Sequence, residues 1–220
     1  MKTPPPAVSM TSLTLAELGE LCSELGHPAW RARQAWQWLY GRFAEDWTSM
    51  KNVPAPLREA LASRVFLDAA APIGVEGKPG GTRKLLCRLR DGECVETVLI
   101  PAANRNTVCV STQVGCRFHC AFCASGLSGF VRNLDAGEIV GQVLAAARLL
   151  GRRPTHLVYM GIGEPLDNYD STLKSVRILN NPDGLAIGAR RITISTSGLV
   201  PGIERLAVPS AASAGPRASR

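Results

Sequence analysis

Residues 115–123 read Gly115-Cys116-Arg117-Phe118-His119-Cys120-Ala121-Phe122-Cys123 and space three cysteines as C-x3-C-x2-C. Thiolates gathered in a short loop are the usual ligands of an iron–sulfur cluster. Three of them leave one iron of a four-iron cluster without a protein ligand. A catalytic metal site keeps such an open position, and a structural site closes it. Zinc held by the three cysteines and His119 is an alternative for the same residues. His119 abuts Cys120, which makes joint ligation awkward, and zinc sites more often come as two separated pairs. A disulfide is a third reading; seven cysteines is an odd number, and the N-terminus has no secretory pattern.

Working outward, the cysteine loop follows a strand-like run, Val108 to Thr112, and opens an alternation of strands and helices. Asp135 with Glu138 three residues on predicts a capped helix to Leu150, ended by Gly151. His156 to Met160 reads as a strand followed by Gly161-Ile162-Gly163-Glu164-Pro165, Ser171 to Leu179 as a helix, and Arg191 to Ser195 as a strand followed by Thr196-Ser197-Gly198. A βαβαβ run implies a parallel sheet with right-handed crossovers. All three candidate segments follow strands, at the end where barrel enzymes place their active sites.

Upstream, Thr82 to Leu89 and Cys94 to Ile100 read as strands joined through Asp91-Gly92, a strong hairpin signal. Cys94, Glu96, Val98 and Ile100 share a face, on which Glu96 is a polar residue among apolar ones or points to solvent at a sheet edge. Three helices are expected before that: Leu13 to Leu25 with a Thr14/Glu17 capping box, Trp30 to Phe43, and Pro56 to Phe66. The second carries Trp30, Arg31, Arg33, Trp36, Trp38, Tyr40 and Arg42. Aromatics interleaved with arginines suit nucleic acid; tryptophans also build small helical cores, the reading favoured for Trp36 and at least one other. The organisation expected is a flexible N-terminus over 1–9, a helical module over 10–70, a linker and β-hairpin over 71–102, an α/β core over 103–207 and a low-complexity tail over 208–220. Three parallel strands cannot close a barrel, and the third leaves an unpaired edge. The chain is therefore expected to be truncated or out of frame after about Ala207.

The 220 residues suffice for one large domain or two small ones. No signal peptide and no run of about 18 apolar residues is present, which makes the cytoplasm the expected location. There thiols stay reduced, and clustered cysteines point to metal or catalysis. A net charge of +7 permits a polyanionic partner such as RNA. The basic residues, however, are scattered along the sequence, and a solvated basic surface explains the charge equally well.

Several runs converge in order and spacing: Glu96-Thr97-Val98-Leu99-Ile100-Pro101; Thr107 to Cys116; the cysteine loop with aromatic Phe122 before its last cysteine; Met160 to Asn168 around Gly161-Ile162-Gly163-Glu164-Pro165; and Ile192-Thr193-Ile194-Ser195-Thr196-Ser197-Gly198. Together they resemble the radical S-adenosylmethionine (SAM) enzymes and, more narrowly, the RlmN-type adenine C2-methyltransferases. Pro28 to Trp38 is similar to that family's accessory domain, so the resemblance covers about residues 10 to 207. It implies an α/β fold, an incomplete radical SAM (β/α) barrel preceded by a small helical accessory domain and a β-hairpin. It implies that Cys116, Cys120 and Cys123 hold a 4Fe-4S cluster whose open iron is chelated by S-adenosyl-L-methionine. Gly163 and Glu164 match the family's SAM-binding turn, where glycine allows close backbone approach and a carboxylate pairs with the SAM ammonium. Ser195 matches a further SAM contact. Glu96 matches the proton acceptor, work for which a partly apolar site would tune a carboxylate. Cys109 matches a cysteine that resolves a covalent protein–RNA intermediate.

Each assignment has a plainer counterpart: an ordinary βα turn for Gly163, a capping hydroxyl for Ser195, a small buried strand residue for Cys109. Cys22, Cys87 and Cys94 match no motif and read as packing residues. The implied partners are 23S rRNA and tRNA and an electron donor such as flavodoxin, with no DNA, no membrane and a monomeric state. In this family the methyl group passes through a cysteine near the C-terminus. No cysteine follows Cys123 here, so the chain as written is not expected to complete methyl transfer. The alternatives are a non-catalytic RNA- or cluster-binding fragment and the related adenine-C8 methyltransferase. A glycyl-radical activase is disfavoured by Cys109 and the Arg/Trp-rich module.

Overall fold

The structure, a computed structural model, describes residues 8–118, 120, 121, 123, 124 and 129–207. The expectations for Met1 to Ala7, His119, Phe122 and the 208–220 tail lie outside these residues. In chain order the elements are β1 (Val8–Ser9), a 3-10 turn (Met10–Ser12), α1 (Leu15–Glu24), α2 (Arg31–Gly41), α3 (Ala55–Arg64), β2 (Val65–Phe66), β3 (Ala71–Glu76), β4 (Arg83–Arg88), β5 (Cys94–Ala102), β6 (Arg105–Cys109), β7 (Gln113–Gly115), β8 (Phe130–Asn133), α4 (Ala136–Leu150), β9 (His156–Tyr159), α5 (Tyr169–Asn180), a 3-10 turn (Ala189–Arg191), β10 (Ile192–Ile194) and α6 (Val200–Ala207).

The helical module forms because its apolar residues recur at helical spacing and its first helix is capped. The Glu17 N–H donates to Thr14 Oγ1 (3.2 Å) and the Thr14 N–H to the Glu17 carboxylate (2.7 Å), a reciprocal capping box. Leu18, Cys22, Ala35, Trp36, Leu39, Tyr40, Leu57 and Leu61 are fully buried. Trp36 is thus a core residue, its ring 4.5 Å from that of Tyr40. Trp38 is half-buried, with Arg42 over its ring, and Trp30 is 58% exposed beneath the Arg31 guanidinium. Two expectations change here. Val65 and Phe66 leave the third helix and pair in parallel with Val8 and Ser9, so Val8–Ser9 is ordered and Ser9 is buried. β-branched Val65 suits that extended pairing. Next to it, Thr11 Oγ1 donates to the Gly137 carbonyl (3.0 Å), which fastens the module to α4.

Beyond the module, six strands form one sheet in the order β10-β9-β6-β5-β4-β3. β6, β9 and β10 are parallel, as the βαβαβ reading requires. The hairpin does not stand apart: β5 pairs antiparallel with β6, Val98 opposite Cys109 and Leu99 opposite Val108, and so extends the parallel sheet. β3, expected to be linker, is the outermost strand. Its Pro72 and Gly74 argue against a strand, yet both are tolerated at an edge, and the register shifts between them. α4 covers one face, burying Ile139, Val140, Val143 and Leu144 in one core with Leu85, Val95, Leu99, Val108 and Leu157. The opposite face carries the alternate residues Lys84, Leu86, Glu96, Val98, Ile100, Cys109, His156, Val158 and Met160, none of which is fully covered. Glu96 therefore lies on the open face of an interior strand, not at an edge.

Candidate active site

The strand expected through Thr112 ends at Cys109, and a short β7–β8 ribbon then frames the cysteine loop. The Cys116 N–H closes the loop base by donating to the Gly129 carbonyl (2.8 Å), and the Cys123 N–H donates to the Cys120 carbonyl (3.0 Å). Gly115 has φ +72°, and a Cβ there would sit 1.9 Å from the Gly129 oxygen, so no other residue fits. The loop delivers Cys116, Cys120 and Cys123 to one cavity of about 330 Å³, which Gly163, Glu164 and Ser195 also line. Six of the eight residues singled out from the sequence meet there.

The turn after β9 is built for close approach. Gly163 has φ +104°, and a Cβ on it would lie 2.7 Å from the Gln113 Cβ. Glu164 is only 4% exposed. Its carboxylate accepts from the Leu166 N–H (2.9 Å), the Ser197 N–H (2.7 Å) and the Ser197 hydroxyl (3.0 Å), which ties the loops after β9 and β10 together. A carboxylate offers about four acceptor sites; room remains for one further donor such as an ammonium.

Three residues with no assigned role hold this end of the sheet. Gln113 Nε2 donates to Asn133 (2.8 Å) and Asp167 (2.7 Å), and its Oε1 accepts from the Glu164 N–H (3.0 Å). Asn168 Nδ2 donates to the carbonyls of Thr112 (2.8 Å) and Leu134 (2.7 Å). Gln142, fully buried on α4, accepts from the Ser111 N–H and the Thr97 hydroxyl (2.9 Å each) and donates to the Ser111 carbonyl (3.0 Å). Gln113 and Asn168 stand inside the quoted motifs. The signal for Gln142 was a polar residue at a core position of an apolar helix. Arg132 adds a clamp. Its guanidinium bonds both oxygens of Glu138 (2.8 Å each) and Asp91 at the hairpin turn (2.7 Å). Chiefly through Glu138, this raises the guanidinium further above its ordinary range.

Glu96 and Cys109 do not line the cavity. They lie one diagonal step apart on the adjoining open face, since Val98 opposes Cys109. Glu96 Oε1 is 2.9 Å from Lys84 Nζ, with its side chain 45% exposed. It is an ion-paired, half-exposed carboxylate, not one held in an apolar pocket. Lys84 also meets Glu76 (3.3 Å), and the two carboxylates, Glu96 first, raise its pKa. Burial pushes the Cys109 thiol up, offset in part by the Met160 N–H; Met160 itself lines the cavity. Of the cysteines read as packing residues, Cys22 and Cys87 are buried, Cys87 being pushed up to about 11 by burial. Cys94 departs from that reading, being exposed beside the hairpin turn.

The donor set fits an iron–sulfur cluster. Among the described residues, no three His, Cys, Asp or Glu side chains converge on a single-ion position. A four-iron cluster makes no such demand, because its cysteines bind different irons.

Residues 110–211 match the family model of the radical SAM superfamily, and residues 8–67 match that of the ribosomal RNA large subunit methyltransferase N-terminal domain. The chain is 48% identical over 201 residues to a probable dual-specificity RNA methyltransferase RlmN of Symbiobacterium thermophilum, covering 90% of this chain and 54% of that protein. It is 47% identical to the Geobacillus kaustophilus protein of the same description, covering 94% and 57%. The chain thus spans little more than half the length of these curated relatives. A crystal structure of a radical SAM methyltransferase from Sphaerobacter thermophilus superposes with a TM-score of 0.87 at 48% identity, covering 92% of this chain and 61% of that one. Over the residues it has, the chain belongs to the radical SAM superfamily and, with its N-terminal domain, to the RlmN family within it.

Proposed function

We propose that this chain carries the cluster- and SAM-binding part of an RNA methyltransferase that acts at C2 of adenine in 23S rRNA and tRNA. The observation that carries the reading is the single cavity shared by Cys116, Cys120, Cys123, Gly163, Glu164 and Ser195. In this reading the three cysteines hold a 4Fe-4S cluster. When bound, the cluster supplies the electron that cleaves SAM. Gly163 lets the substrate approach the backbone, the Glu164 carboxylate takes the SAM ammonium as a further donor, and Ser195 offers a hydroxyl from the end of β10. Glu96 accepts a proton on the open face, where it pairs with Lys84, and Cys109 stands beside it as the thiol that reacts with the RNA adduct. A one-electron donor of the flavodoxin class, a monomeric state, no DNA partner and a cytoplasmic site of action belong to the same proposal. No described helix is long and apolar enough to cross a membrane.

The test is anaerobic reconstitution with iron and sulfide, followed by SAM and a reductant. A brown chromophore, acid-labile sulfide and 5′-deoxyadenosine are expected. A colourless protein that binds stoichiometric zinc instead would refute the reading. The position of methylation is read from host RNA: deleting the gene of a full-length enzyme with this N-terminal part should remove 2-methyladenosine and leave 8-methyladenosine untouched, and this chain alone, with no cysteine after Cys123, should not restore it.

A further inference from the structure

The arginines that look scattered in the sequence converge in the fold. At the edge of the sheet opposite the cysteine cavity stand the starts of β4, β6, β9 and β10 and the end of β5. Arg83 begins β4 and Arg105 begins β6; Arg152 and Arg153 precede β9; Arg190 and Arg191 precede β10. All but Arg83 are exposed, and none of the six has a carboxylate partner among the described residues. Glu76, at the end of β3 beside the start of β4, is engaged with Lys84. Arg83 and Arg152 also line a cavity of about 500 Å³ under the β5–β6 turn, where the Arg83 Nε is buried without an acceptor. Burial and, behind it, the charges of Arg105 and Arg191 hold the His156 imidazole below its ordinary range. Arg153 reaches toward the end of α2, its Nη2 3.4 Å from where a Cβ on Gly41 would lie. The basic edge is therefore continuous with the helical module.

We propose that this edge is a second RNA contact, a track that binds the sugar–phosphate backbone at a distance from the cysteine cavity. The assignment to RNA rests on the function proposed above; the anionic backbone is what the arginines themselves select. Five neighbouring strands span about 19 Å at the usual spacing, room for several successive phosphates. Guanidinium groups without a carboxylate partner suit phosphate because their donors form a planar fork that bonds two oxygens at once; the Arg152 guanidinium also donates to Asn106 (3.3 Å). Such contacts carry no base information and position the RNA instead.

The test uses the whole chain and a fluorescently labelled tRNA transcript, with affinity followed by anisotropy across a range of salt concentrations. Replacing three arginines of the edge, Arg105→Gln/Arg190→Gln/Arg191→Gln, should make the plot of log K against log salt shallower by roughly 2 to 3. It should weaken binding about 10- to 100-fold at low salt. A control of equal charge, Lys51→Gln/Arg64→Gln/Arg177→Gln, removes exposed cations elsewhere and should leave the slope near that of the unsubstituted chain. An equal loss of slope in the control, a wild-type slope in the edge variant, or no RNA binding by the unsubstituted chain overturns the track. Cluster assembly and RNA-free SAM cleavage by the unsubstituted chain separate the two proposals. A chain that cleaves SAM but ignores RNA overturns the track alone. One that binds RNA with the expected slope but takes no cluster overturns the proposed function.

Discussion

At one end of the parallel strands the backbone is pinned by buried amides: Gln142 holds Ser111, Asn168 holds Thr112, and Gln113 holds the turn before Glu164. At the other end the arginines, all but Arg83 exposed, have no carboxylate partner among the described residues. The first end is held by buried hydrogen bonds, each costly to leave unmade, which suits the fixed distances that the proposed cluster and cofactor would demand. The second tolerates loose side chains because a phosphate backbone is recognised by charge over a length, not by a point. Same sheet, same strands, two kinds of chemistry: substitutions at the pinned end should damage fold and catalysis together, and those at the basic end should touch binding alone.

The sharpest break of that contrast is at the cysteines. Changing Cys116, Cys120 or Cys123 to Ala should abolish the visible chromophore and drop SAM cleavage to background; retained cleavage in any one of them would remove that residue from the ligand set. Gly115→Ala comes next. The clash with the Gly129 oxygen and the positive φ should lower unfolding stability by at least about 2 kcal/mol, read as a denaturant midpoint. An unchanged midpoint would mean that the ribbon can shift. Gln142→Leu leaves the Ser111 N–H and carbonyl unpaired in the core and should cost about 1–3 kcal/mol without touching the cavity. Slight loss there would show that the pinned end does not depend on its buried amides. The Glu17–Lys174 pair, far from both ends, gives a smaller, pH-dependent effect. Burial opposes ionisation of Glu17, but the bonds from Lys174 and Thr14 outweigh it and hold the carboxyl below its ordinary value of 4.5. Its contribution is present above that value and fades as pH falls through the lower folded value. With the pair part-exposed, only a few tenths of a kcal/mol are expected; Lys174→Met should flatten the acid limb slightly. The least effect belongs to the basic edge. Its triple Gln variant should unfold within about 0.5 kcal/mol of the unsubstituted chain, as exposed and unpaired residues do.

Elements with strong local signals were legible in the sequence. The capping boxes at Thr14 and Asp135, the αL glycine after α4 and the Asp91-Gly92 turn all form where their residue types place them. Pairing across the chain was not. Nothing local says that β5 runs beside β6, so the hairpin read as separate and Glu96 as a possible edge residue. β3 was hidden by a proline and a glycine that only an edge position excuses. The β7–β8 ribbon has strands too short to show a period. For the site, cysteine spacing marked three residues and the family resemblance three more, and the fold brings all six to one cavity. The hydrogen bonds that position them come from Gln113, Gln142 and Asn168, ordinary amides whose role appears only once their partners are in place.

The sheet also carries an order of assembly. From β3 to β6 every pairing joins chain neighbours across a short turn, whereas β9 must wait for the cysteine loop and α4, and β10 for α5. Local pairings close quickly and distant ones slowly. Contact order therefore predicts that the antiparallel meander forms first, that the parallel strands join it one at a time, and that the cofactor cavity, which needs both β9 and β10, completes after them.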